Sequence, residues 1–177
     1  MQKNALLLPP GIEIYERGWL SANNIFHFGD ADVSLVDSGY YAQSKMTVDL
    51  VSNAIQKHGL PGLTKVVNTH LHSDHCGGNA ALQKQFGCEV FVPAAEALAV
   101  KDWDTNLLSY ENLGQDCPEF SHHGVLLPGE EILLGRYLWK ILAAPGHDPH
   151  SVMLYQAEHR ILISADALWE EGFGVIF

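Results

Sequence analysis

The chain has 177 residues, 47% of them hydrophobic, and a formal net charge of −11 from 10 Lys+Arg against 21 Asp+Glu. That length suits a single domain spanning residues 1–177 with a real core, and an acidic balance without a basic run excludes a protein built to grip a phosphate backbone. Leu6-Leu7-Leu8 runs into Pro9-Pro10, too short for a signal peptide, and no stretch approaches a membrane span.

Residues 12–16, 19–28 and 32–37 are expected to be strands, with Gly29-Asp30 a turn between two of them and Asp37 ending the third. Residues 41–58 are expected to be a helix, because Met46, Leu50, Val51, Ala54 and Ile55 share a face and Gly59 then Pro61 stop it. A strand over 63–68 then delivers Asn68-Thr69-His70-Leu71-His72-Ser73-Asp74-His75. Three histidines and an aspartate within six positions are a dense set of metal ligands. His70 and His72 alternate along an extended backbone, so both rings point to one side. Asp74 and His75 follow in the loop and turn towards a second, adjacent position. Two neighbouring metal ions result, and imidazole with carboxylate suits zinc, iron or manganese better than calcium or magnesium. A His-rich surface turn is the plain alternative, and it does not account for further ligands downstream.

Residues 78–86 are expected to be a short helix ended by Gly87, 89–92 a strand, 94–101 helical, and 105–112 a helix leading into a loop through Pro118. Residues 124–127, 131–134, 137–143, 152–156 and 160–164 are expected to be antiparallel strands. His147 lies in the turn after one apolar run, within Pro145-Gly146-His147-Asp148, and Asp166 ends another, within Ala165-Asp166-Ala167. Ligands at strand ends sit on rigid elements while loops shape the pocket. The fold class is α/β, a sandwich with its site at one edge.

These segments closely resemble the metallo-β-lactamase-fold hydrolase superfamily, particularly its glyoxalase II-like members, from about Gly18 onward. The most specific part is 69–78, backed by the Pro-Gly-His at 145–147 and the Ala-Asp-Ala at 165–167. The resemblance implies a four-layer αββα sandwich. It makes His70, His72 and His147 ligands of a first metal, Asp74 and His75 ligands of a second, and Asp166 the carboxylate bridging both. Asp37 resembles an acid that orders the His-rich loop by hydrogen bonding without touching metal. The family pattern has one more histidine late in the chain, and no residue here matches it. The apolar residues 172–177 look like the middle of a longer chain, so the C-terminal part of the second half is expected to be missing. An incomplete sheet would leave an apolar face or edge and a route to self-association.

By the resemblance, a hydroxide held by two zinc ions attacks an ester-like bond of a small-molecule substrate (thioester, lactone or related), with Asp74 orienting the nucleophile and passing on its proton. A mononuclear iron oxygenase resembling the persulfide dioxygenases, built on His70, His147 and Asp166, is a second reading. A catalytically inactive fragment is a third. Trp19, Asn23, Asn24, Trp103, Tyr110 and Trp169 are candidates for a pocket wall or for ordinary packing, so no substrate-binding residue is assigned. His122-His123 offers a lid or a substitute ligand, and His150 a stand-in for the absent histidine. His27, His58 and His159 are ordinary strand, helix-end and turn residues. Cys76, Cys88 and Cys117 lack CxxC spacing and read as reduced thiols of a cytoplasmic protein, with Cys76 either close to the metals or a small buried filler.

Overall fold

A computed structural model describes residues 8–18 and 21–168. Six strands form a mixed sheet whose spatial order follows the chain: β1 (Ile12–Tyr15), β2 (Asn24–Phe28), β3 (Val33–Val36), β4 (Lys65–Val67), β5 (Glu89–Pro93) and β6 (Gly124–Leu126). β1, β2 and β3 pair antiparallel, and β3 to β6 pair parallel. Each parallel step needs a crossover long enough to return the chain to the same edge. Helix α1 (Ser44–His58) supplies the first. The helical turn α2 (Ser73–Cys76) and helix α3 (Asn79–Phe86) supply the second, and α4 (Ala97–Asp102) with α5 (Tyr110–Leu113) the third. A second, antiparallel sheet holds β7 (Glu131–Leu134), β8 (Tyr137–Ala143), β9 (Val152–Gln156) and β10 (Ile161–Ile163), in the order β10-β9-β8-β7.

Two apolar layers result. Phe26, Phe28, Leu35, Val66 and Val90 pack with Val51, Ala54, Ile55 and Leu82 on the helix side of the first sheet. Val36, Val67 and Leu126 meet Leu134, Trp139, Ile141 and Leu154 between the sheets. The alternation of side chains along a strand makes this double burial possible. Along β2, Phe26 and Phe28 belong to the helix-side layer, while His27 packs edge-on to Trp139, with ring centroids 5.0 Å apart.

Four expectations need correction. Residues 124–126 do not join the antiparallel group: they pair parallel to β5, because the long 94–123 connection carries them back to the first sheet. Of the strand expected over 19–28, residues 19 and 20 lie outside the described residues and the observed strand begins at Asn24, with the Asn23 side chain turned back to accept the Arg17 N–H (2.9 Å). In α1, Thr47 takes an inward position and Met46 is 55% exposed, because the Arg17 guanidinium reaches over the first turn to the Thr47 hydroxyl at 3.0 Å. The helix expected over 105–112 is reduced to α5. Asp104 Oδ1 accepts the N–H groups of Asn106 and Leu107, and Ser109 sits at φ 63°, a left-handed conformation that breaks helical propagation.

Candidate metal centre

The histidine loop leaves β4 at its C-terminal end, where parallel strands gather ligand-bearing loops. Asp37, directly after β3, organises it. Its Oδ1 accepts the Thr69 N–H at 2.9 Å, and its Oδ2 accepts both the Thr69 hydroxyl at 2.8 Å and the His75 Nδ1–H at 2.8 Å. Asp37 itself stands at φ 57°, a region that aspartate tolerates better than most residues. Around it, Ser38, Asn68 and Asn79 form a buried chain: the Ser38 hydroxyl donates to Asn79 Oδ1, Asn79 Nδ2 to Asn68 Oδ1, and Asn68 Nδ2 to the His75 carbonyl. The backbone N–H of Ser38 also reaches that carbonyl, at 2.7 Å. Glycine is obligatory at 77 and 78, because a Cβ at Gly77 would lie 2.4 Å from Tyr41 N and one at Gly78 2.5 Å from Ser38 O.

Asp74 and His75 are not in an irregular loop. They lie in α2, with His72 as the extended residue before it and Gln115 Oε1 accepting the Ser73 N–H at 3.1 Å. From the second sheet, the turn after β8 brings His147. The Val152 N–H donates to the Thr69 carbonyl at 2.8 Å and locks that sheet to the histidine loop. Asp166 arrives in the single turn Ala165–Ala167 after β10, next to Ala165 at φ 43°. A non-glycine residue held there stores strain, of the kind that collects at functional sites.

The donor atoms converge in two groups sharing one residue: His70, His72 and His147, and His70, His75 and Asp166, each with its atoms within 4.8 Å of one another. His72 Nδ1 faces His147 Nε2 at 2.9 Å. Asp166 turns Oδ1 towards His75 Nε2 (3.2 Å) and Oδ2 towards His147 Nε2 (3.4 Å). Asp74 Oδ2 is 3.6 Å from the same His75 nitrogen.

Hydrogen-bond logic fixes the tautomer of His70. The Thr69 hydroxyl spends its only proton on Asp37, so His70 Nδ1, 3.2 Å away, must donate to it. The Nε2 of the neutral ring then carries a lone pair, and that atom is buried without a hydrogen-bond partner among the described residues. An orphaned buried acceptor surrounded by further imidazoles and carboxylates fits a cation. Two nitrogens bound to one zinc lie about 3.3 Å apart in a tetrahedron. Burial, with His75, His72 and His147 close by, holds the pKa of His70 well below the ordinary histidine value. Burial and His147 also lower that of His72. Burial would lower His75 too, but Asp37 and Asp166 outweigh it and hold its pKa well above the ordinary value. Burial resists ionisation of Asp166, yet its contacts with His75 keep its carboxyl below the usual range.

Other residues fall elsewhere. Asn24 is fully buried and anchors the chain by donating to the Asp37 carbonyl at 2.7 Å. Trp103 packs on Phe120 and Tyr110 in the helix-side layer. His123 Nδ1 accepts the Val90 N–H, and His150 is exposed, its N–H donating to Asp148 Oδ1. None of His122, His123 and His150 belongs to either donor group. Trp19 and Trp169 lie outside the described residues. A residue that sequence reasoning passed over is Asp148, buried with Oδ2 3.8 Å from His72 Nε2. Its only signal was an acid directly after His147. Beside Asp37, His75 and Asp166 opens a cleft of about 410 Å³, walled largely by apolar side chains such as Ile14, Ile25 and Trp139, with Asn23 at its rim.

Curated relatives include a hydroxyacylglutathione hydrolase of Rhizobium etli, 29% identical over 65% of this chain and 38% of its own length. Another of that description, from Ectopseudomonas mendocina, is 32% identical over 70% of this chain and 40% of its own length. The chain thus spans about two fifths of the length of these relatives. Among solved structures, the B3 metallo-beta-lactamase BLEG-1 superposes with a TM-score of 0.72 at 21% identity, covering 93% of this chain and 76% of that one, which establishes a common fold. No helix among the described residues is long and apolar enough to cross a membrane. The model of one family fits nearly the whole chain, residues 17–176, and by that match the protein belongs to the metallo-beta-lactamase superfamily.

Proposed function

We propose that this chain carries the metal-holding part of a hydrolase that opens ester-like bonds of small molecules, with a hydroxyacyl thioester as the leading substrate class. The observation that carries this reading is Asp166, whose two oxygens face His75 and His147, members of the two donor groups that meet at His70. In this reading His70, His72 and His147 hold one cation, Asp74 and His75 hold a second, and Asp166 serves both. Zinc suits this nitrogen-rich set, and iron or manganese is also compatible with it. When bound, such ions acidify a water to a near-neutral pKa and polarise a carbonyl oxygen.

The chain's own residues supply the rest. Asp37 holds His75 and the loop in register, which sets ligand geometry as outer hydrogen bonds do at metal sites. Asp74, half-buried with Oδ2 3.6 Å from His75 Nε2, would orient the attacking water and take its proton. The apolar cleft takes the acyl group and keeps bulk water off the scissile bond. The thioester preference rests on the curated relatives named hydroxyacylglutathione hydrolase. Three free cysteines suit a reducing, cytoplasmic setting.

Metal content per chain, measured by elemental analysis, tests this reading together with turnover of a hydroxyacyl-glutathione thioester. One zinc held tightly by His70, His72, His147 and Asp166 is expected, with a second bound weakly at Asp74, His75 and Asp166, where no late histidine completes the set. His72→Ala is expected to weaken zinc binding by more than the roughly 10–100-fold that losing an outer partner costs. One iron per chain would transfer the reading to an oxygenase. A His72→Ala variant with full zinc content would refute the ligand assignment.

A further inference from the structure

Beneath the histidine loop lies a second cluster that the metal chemistry does not use. Cys76 ends α2 with its thiol fully buried, 3.3 Å from the carbonyl oxygens of Leu71 and His72. Its Sγ is 3.1 Å from the Tyr110 hydroxyl and 3.7 Å from the Sγ of Cys117. Cys117 is half-buried, in the connection between α5 and β6. That connection already touches α2 at another point, where Gln115 Oε1 accepts the Ser73 N–H.

Two sulfurs at 3.7 Å are in van der Waals contact, and a disulfide needs them at about 2.05 Å, a closure on the order of 1.7 Å. Because α2 is held by Asp37 and Ser38, that closure falls to Cys117 and its irregular connection. We propose that Cys76 and Cys117 form a dithiol that hydrogen peroxide converts to a disulfide, tying the 114–123 connection to the helical turn that carries Asp74 and His75.

The less buried partner reacts first. Cys117 sulfur attacks the peroxide oxygen, the O–O bond breaks, and Cys117 becomes a sulfenic acid as the peroxide is reduced to water. Cys76 sulfur then displaces hydroxide from the Cys117 sulfur. The S–S bond forms, and the Cys76 proton leaves with that hydroxide as a second water. The inference rests on the thiol geometry and holds whatever the histidines bind.

The test exposes the full chain to hydrogen peroxide, alkylates the remaining thiols and maps them by mass spectrometry. Alkylatable cysteines are expected to fall from three to one, Cys88. A cross-linked peptide joining positions 76 and 117 should appear and vanish with dithiothreitol. In Cys117→Ser, Cys76 should stay alkylatable. In Cys76→Ala, Cys117 should advance to sulfinic acid for want of a resolving thiol. If the unsubstituted protein instead ends with sulfinic Cys117 beside an alkylatable Cys76, or with a bridge to Cys88, the proposal fails.

Discussion

The two sheets are stabilised in different ways. The first is covered on both faces: helices lie on one side of it and the second sheet on the other. Among the described residues, the second is buried on one face only. Its inward residues Ile132, Leu134, Trp139, Ile141 and Leu154 pack against the first sheet. Outward, Leu133 and Leu138 face each other across the β7–β8 ladder at 53% and 55% exposure, beside the Glu131–Lys140 pair. The same kind of residue therefore does different work in the two sheets. A leucine or phenylalanine in the first removes apolar area from water, and one on the outer face of the second removes little. The candidate metal centre draws on both: β3 and β4 position Asp37 and the histidine loop, while β8 and β10 lead to His147 and Asp166.

The comparison breaks most visibly on the helix side. Phe26 is fully buried against Phe28 and Tyr15. Phe26→Ala is expected to cost about 3–5 kcal/mol, the transfer loss plus a cavity, read as a fall in the urea midpoint at unchanged slope. A cost below about 1 kcal/mol would mean that this layer is looser than its packing implies.

The layer shared by both sheets is tested by protons. His27 is fully buried against Trp139, with neither ring nitrogen hydrogen-bonded among the described residues, and burial pushes its pKa down to about 3. The unfolded chain binds a proton there below about 6.5 and the folded chain does not until about 3, so stability present at neutral pH is lost as pH falls through that window. At about 1.4 kcal/mol per pH unit below the unfolded value, going from pH 7 to pH 5 should cost roughly 2 kcal/mol. His27→Leu should remove that part of the slope. Parallel pH dependences for the two proteins would show that His27 finds a partner in solution.

Why some of this was legible beforehand follows from the same contrast. β7, β8 and β9 are fixed by local turns and one-sided alternation, so their limits could be read from residue order. The first sheet's long parallel crossovers leave no such local mark, and β6, a three-residue apolar segment next to a hairpin, was grouped with its sequence neighbours instead of its spatial one. The histidine loop announced itself because several ligand types stand together. Asp148, Asn68 and Asn79 did not, since single polar residues acquire meaning only when folding brings partners from distant elements. The helical turn at Asp74 and His75 is too short to leave a periodic signature. It is held by Gln115, about forty positions along the chain, and by Ser38 and Asn68.

The smallest effect is expected on the open face. Leu138→Lys places a charge beside Leu133 on the outer side of β8, where more than half of the side chain already meets water. The stability change should stay within about 0.5 kcal/mol, measured by urea unfolding beside Phe26→Ala. A loss of several kcal/mol would mean that the face is covered in solution. Repeating the measurement over a range of protein concentrations identifies the cover. A loss that grows with concentration belongs to a second copy of the chain, because association stabilises by mass action. A loss independent of concentration belongs to the chain itself.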